Sequence, residues 1–154
     1  MKKYQSAFNT RQYMVSKDFE IFYYDDINFS NVKSHSHDYY EFYFFLQGKI
    51  DLKIADASFP MKAGDVVLIP PGIPHYMINH DETVPYRRFI FWVSRNYFEA
   101  LKTVSDDYAY IIAQAVEHGH YIYHNGMGNF NTLHGKCYRL LEEIHTEHFG
   151  KELE

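Results

Sequence analysis

His35, His37 and Glu41 lie on one short segment, and their side chains are of the kinds that bind a divalent cation. In an extended strand successive side chains alternate, so positions 35, 37 and 41 all face the same way. His75 follows Pro70, Pro71, Gly72 and Pro74, whose fixed φ angles make a rigid loop ahead of it. Three imidazoles and one carboxylate form a borderline ligand set suited to Zn, Fe, Mn or Ni, with open coordination positions in a larger shell. Such a set does metal chemistry or holds an anion. Taken alone, a His-x-His pair on a strand is more often a surface or hydrogen-bonded pair than a metal site.

The same alternation places Tyr39, Tyr43 and Phe45 on the histidine side of a regular strand. Phe45 reads as core filling, whereas Tyr39 and Tyr43 can present hydroxyls to a polar ligand, since a buried phenol wants a partner. Met77 shares the parity of His75 and can line the same cavity, although packing is the simpler account. Asn79 is either a hydrogen-bonding ligand contact or a strand-end polar group that satisfies backbone. His80, His118, His120, His124, His134, His145 and His148 follow no ligand spacing and read as surface or structural. Cys137 lies on an apolar helix face, where a buried small hydrophobe is expected rather than a reactive thiol or a metal partner for His134.

The elements that must position these residues are legible as a run of short strands. Apolar and polar residues alternate from Tyr13 to Asp25 and end at the turn-prone Asp25-Asp26. A longer extended pattern runs from His35 to Ile54, broken by a glycine hairpin at Gln47-Gly48-Lys49, and Ile50, Leu52 and Ile54 alternate with Asp51 and Lys53. A second turn, Ala63-Gly64-Asp65, leads into Val66-Val67-Leu68-Ile69. The last strong strand is Tyr86 to Val93. Gly48, Gly64 and Gly72 read as turn residues at positive φ. Short strands joined by Gly and Pro turns predict a sandwich or barrel of antiparallel sheets.

After Ser94 the period changes. Ser94 is the expected N-cap of a helix carrying Tyr97, Phe98 and Leu101, and Ser105 of another carrying Tyr108, Ile111, Ile112 and Ala115. The chain returns briefly to a strand at Tyr121 to Tyr123. Phe130, Leu133, Cys137, Leu140, Leu141 and Ile144 then share one face of a helix whose pattern reaches His148, opposite Arg139, Glu142, Glu143 and Glu147. That stripe must dock on its own barrel or on another subunit, and dimerisation through it is expected. The domain reading is a barrel over 1–94 and a helical appendage over 95–154. The closing Leu153-Glu154 reads as a vector remnant, and the chain as a domain cut from a longer protein.

Two resemblances sit on these residues. His35-x-His37, three residues, Glu41, six residues, Gly48 resembles the first cupin motif in full. Gly64, five residues, Pro70-x-Gly72, two residues, His75, three residues, Asn79 resembles the second. The resemblance implies a cupin (double-stranded β-helix, or jelly-roll) barrel with metal ligands at His35, His37, Glu41 and His75. It also supplies what spacing alone does not, that His75 meets the other three. More narrowly, the texture of 35–42, of 63–71 and of Tyr86-Arg-Arg-Phe-Ile-Phe-Trp-Val-Ser94 is similar to the N-terminal sensor domain of AraC-type transcription regulators. In that family a cupin barrel binds an effector, often a sugar, the helices that follow mediate dimerisation, and a double helix-turn-helix domain comes next. Many such sensors keep only part of the ligand set, whereas this sequence keeps all of it.

Composition agrees with a packed, mainly β protein. Of the 154 residues 46% are hydrophobic and 19% aromatic, with 15 Tyr and 13 Phe, which excludes a disordered chain and favours pleated, half-buried surfaces. A net charge of −5 lacks the clustered Lys and Arg that tracking phosphates requires, so DNA would be contacted only through a helix-turn-helix domain that this chain lacks. The single cysteine excludes an internal disulfide framework. With no signal-like or membrane-spanning stretch in the sequence, a cytoplasmic home is expected. The leading functional expectation is therefore a small-molecule sensing and dimerisation domain, without catalysis of its own, that takes a small polar effector. A stand-alone metal-dependent cupin enzyme, a dioxygenase or isomerase, is the alternative, and a ligand-free storage cupin a weaker third.

Overall fold

A computed structural model of the chain describes residues 4–146; the helical pattern at Glu147 and His148 and the closing Leu153-Glu154 lie outside them. Eight strands and three helices follow in the order β1 (Phe19–Asp26), β2 (Tyr40–Gln47), β3 (Ile50–Ile54), β4 (Ala57–Pro60), β5 (Val66–Ile69), β6 (His75–Asn79), β7 (Tyr86–Val93), α1 (Arg95–Val104), α2 (Tyr110–His118), β8 (Ile122–Tyr123) and α3 (Met127–His145). The strands form an antiparallel five-stranded sheet in the order β1-β7-β2-β5-β8 and a three-stranded sheet in the order β4-β3-β6. The fold is mainly β, two antiparallel sheets followed by C-terminal helices. Among the described residues no helix is long and apolar enough to cross a membrane.

Alternation explains why the long strands read as nearly continuous apolar runs, because both of their faces are covered. Tyr43 and Phe45 of β2 and Ile90 and Trp92 of β7 point between the sheets, where they meet Leu52 and Ile54 of β3 and Met77 of β6. On the outer face of the same strands, Phe44 and Phe89 join Tyr23 beneath α3, whose Leu141 is only 1% exposed. Phe98 of α1 and Ile112 and Ala115 of α2 cover Leu68 and Val93 farther along that face. Phe130, Leu133, Cys137 and Leu141 of the α3 stripe thus dock on its own sheet while Ile144 stays exposed, and β8 pairs with β5, so residues beyond 94 are built into the barrel wall.

Several local expectations are met. Ser94 caps α1 by accepting from Tyr97 N, and Ser105 caps the next helical segment, whose first turn, Asp106–Ala109, is a 3-10 turn. Gly64 sits at φ +98°, and a Cβ there would lie 3.1 Å from the carbonyl oxygen of Asn125, so glycine lets the end of β8 lie against the turn before β5. Strand β4 had no turn signal before it: the two-residue turn after Ile54 uses Ala55 at φ 51°, a left-handed position usually given to Gly or Asn.

Candidate metal centre

The segment from His35 to Glu41 is not one regular strand. Strand β2 begins only at Tyr40, and His35 makes an isolated bridge to His75, with reciprocal backbone bonds of 3.1 and 2.9 Å. The proline loop is sewn to this segment as well: Gly72, at φ +82°, donates its N–H to the carbonyl of His37 at 2.8 Å. These bonds carry His75, some forty positions away in sequence, onto the first histidine segment.

His37, Glu41 and His75 converge. One potential ligand atom from each lies within 4.8 Å of the other two, and all three residues are buried. His37 Nε2 stands 3.4 Å from Glu41 Oε2 and His75 Nε2 stands 3.9 Å from Glu41 Oε1. His35 does not bring its donor into this trio. It lines the same cavity, but it lies directly across the bridge from His75, ring against ring at 4.4 Å, and 6.2 Å from His37. The fourth expected ligand is therefore a neighbour of the trio rather than a member of it.

Each ring is oriented by a backbone carbonyl. His37 Nδ1 lies 3.0 Å from the Tyr39 oxygen, His75 Nδ1 2.9 Å from that of Ile73, and His35 Nδ1 2.9 Å from that of Lys33. A carbonyl only accepts, so Nδ1 carries the proton and Nε2 presents a lone pair, the tautomer that a metal-binding histidine needs. Glu41 Oε2 accepts from Trp92 Nε1 at 2.8 Å, which fixes the carboxylate. Burial by itself would raise the Glu41 pKa, but the facing His37 and His75 imidazoles and the Trp92 bond outweigh it and hold the group at about 2. Burial lowers the His75 pKa, only partly offset by Glu41. Both directions leave an anionic carboxylate beside a neutral imidazole at neutral pH.

The buried Nε2 atoms of His37 and His75 have no hydrogen-bond partner. An unsatisfied buried polar atom costs about 1–3 kcal/mol, so two on adjacent rings, both facing one carboxylate, fit a cation that would take both lone pairs. The donor set fits a divalent transition ion in the manner of a two-histidine, one-carboxylate site.

This centre opens into a barrel cavity of about 670 Å³. Tyr39 lines it with its ring stacked on His37, 3.9 Å between centroids, and its hydroxyl is buried without a partner. Tyr43 also lines it, but its hydroxyl pairs with that of Tyr86 at 2.5 Å. Met77 is a buried wall residue. Asn79 does not line the cavity: its Nδ2 donates to the Phe29 carbonyl and its Oδ1 accepts from Asp81 N, so the amide is occupied by backbone. Trp92 and Arg88 were not singled out from the sequence. Period two from Tyr86 would have placed Arg88 and Trp92 on the inward row of β7, and Arg88 is the one charged residue in that row.

Residues 30–93 match the family model described as Cupin domain, and His35, His37, Glu41 and His75 all lie within the matched stretch. Among solved structures the chain is similar to a Cupin 2 conserved barrel domain protein from Salinispora arenicola, at 23% identity over 65% of this chain and 80% of that one, TM-score 0.46. It is also similar to a cupin protein from Bacteroides fragilis, at 21% identity over 62% and 87%, TM-score 0.45. A third is an RmlC-like cupin family protein with a double-stranded β-helix fold from Methanocaldococcus jannaschii, at 12% identity over 58% and 87%, TM-score 0.46. No curated protein matches the chain.

Proposed function

We propose that this chain is the small-molecule-sensing and dimerisation domain of an AraC-type transcription regulator, with a divalent transition metal held by His37, Glu41 and His75 at the floor of the ligand cavity. The observation that carries the sensing role is the use of the same strands on both faces. Glu41 of β2 and Arg88 and Trp92 of β7 face the cavity, while Phe44 and Phe89 of the same two strands face α3. A ligand that binds one arrangement of these strands more tightly than another shifts the population of α3 positions, which is all a sensor requires. The metal, when bound, supplies a Lewis acid for a ligand oxygen. The exposed Val104, Tyr110 and Val116 on the first two helices favour a homodimer as the assembled form. In the regulators that this chain resembles, a separate helix-turn-helix domain contacts the DNA.

Amide hydrogen exchange on the purified protein with and without zinc tests this reading. Zinc is expected to slow exchange in β2, β7 and α3 together. Protection confined to the site strands, with α3 unmoved, would count against a sensor. The alternative, a metal-dependent cupin enzyme, is favoured by one feature: His37, Glu41 and His75 alone leave open coordination positions. Its mark would be turnover of an added substrate that chelation abolishes while α3 exchange stays constant.

A further inference from the structure

The end of the cavity away from the histidines carries a second polar device. Arg88 is 3% exposed, lines the cavity, and lies four residues from Trp92 along β7, about 13 Å of strand. Its guanidinium is boxed by aromatic rings: the carbon lies 3.8 Å from the Tyr86 centroid, 4.6 Å from Tyr24 and 5.0 Å from Phe29. With its surroundings so occupied by rings, the hydrogen-bonding edge decides what else it can hold. Both of its hydrogen bonds to the described residues leave from Nη1, one to Asp26 Oδ2 at 2.6 Å and one to the Tyr86 carbonyl at 3.0 Å. The Nη2–Nε edge donates to no described residue, and two parallel N–H groups on one edge match the two oxygens of a carboxylate.

Charge does not oppose an anion there. Arg11 is held by Glu20, so Lys33 and Arg88 balance Asp26 and Glu41 around the cavity. A divalent ion at the histidines would tip that balance to positive. The walls between the two ends are apolar or aromatic, with Ile90, Leu52, Met77 and Trp92, and the buried Tyr39 hydroxyl awaits a polar partner at the histidine end.

We propose that the cavity takes a small organic acid with an apolar body, its carboxylate seated on the Nη2–Nε edge of Arg88. This rests on the reading of the barrel as a small-molecule site and names the class of molecule. Asp26 keeps Nη1, so the acid adds to the existing pair rather than replacing it. The aromatic box holds the guanidinium plane fixed, so the edge is already aimed when the acid arrives.

The test uses 3-phenylpropionate and its neutral analogue, 3-phenylpropionamide, with binding read from the fluorescence of Trp92, the single tryptophan, and from calorimetry. The acid is expected to bind at least about tenfold more tightly than the amide, as a charge-assisted pair of hydrogen bonds implies. This preference should persist with a chelator present and disappear in the Asp26→Asn, Arg88→Met double variant, in which no carboxylate is left facing a missing cation. Arg88→Lys, which keeps the charge but not the fork, should retain only part of it. Equal binding of acid and amide to the unaltered protein overturns the proposal without any variant having to fold. So does a preference that chelation removes and the double variant keeps, since the acid would then sit on the metal and only the metal reading would survive. Failure of the acid to bind at about 10 mM also overturns it. Conversely, a preference that survives chelation in a protein that binds no metal upholds Arg88 and removes the metal.

Discussion

The two ends of the barrel cavity treat buried polar groups in opposite ways. At the Arg88 end the groups find protein partners: Nη1 meets Asp26, and the hydroxyls of Tyr43 and Tyr86 meet each other. At the histidine end His37 Nε2, His75 Nε2 and the Tyr39 hydroxyl are buried with no partner. Folding tolerates few such atoms, since each costs on the order of 1–3 kcal/mol, and three beside one another mark a place built to be completed from outside. The histidine end is thus left open at every one of these atoms, whereas at the Arg88 end only the Nη2–Nε edge remains for a ligand.

The largest effect that can break this contrast is the response to metal. Zinc at about a thousand times its dissociation constant should stabilise the protein by about 4 kcal/mol, because the folded state alone gathers the three ligands. Thermal unfolding with and without zinc measures it, and His75→Ala should erase the difference. An unchanged midpoint in the unaltered protein would show that the histidine end is not a metal site.

A smaller effect separates two tyrosines on the same face. Tyr43→Phe leaves the Tyr86 hydroxyl buried and unpaired and should cost about 1–2 kcal/mol in urea unfolding. Tyr39→Phe removes a hydroxyl that bonds to nothing and should change stability by less than about 0.5 kcal/mol. Equal costs for the two would erase the distinction between the ends.

The smallest effect is a displacement along the pH axis. A proton competes with the metal for His75 Nε2, so affinity is lost as pH falls through the His75 pKa. Burial places that pKa below the ordinary 6.5, and Glu41, held at about 2, stays ionised throughout. Zinc binding followed by Trp92 fluorescence should therefore weaken with a midpoint below 6.5, and a midpoint above it would mean that His75 is not desolvated as described. Away from the cavity, burial raises the Cys137 thiol to about 11, in keeping with the packing residue read from its place on the helix face.

Much of the fold was legible from one-dimensional pattern. Strand alternation at Ile50, Leu52 and Ile54, the glycine turns at 48 and 64 and the caps at Ser94 and Ser105 are local preferences that tertiary packing left in force. The parity that puts His37, Tyr39 and Glu41 on one side was also readable, because it depends only on an extended backbone. The same parity turns His35 toward the cavity, but parity carries no distance, and only the bridge to His75 shows that its ring lies beside the trio. Asn79 was ambiguous because an amide at a strand end serves backbone and ligand equally well in sequence, and only the position of Phe29 and Asp81 decided it.

By itself the sequence determined which residues could be ligands, which way each strand faces, and that the last helix has one apolar side. The tertiary structure decided that His75 meets His37 and Glu41, that α3 packs most of its apolar side on its own sheet, and that Arg88 sits in an aromatic box at the far end of the cavity. The division has a physical cause. Alternation, caps and turns are set by neighbours a few residues away, whereas which strand lies beside which is fixed only when the sheets close around a shared core.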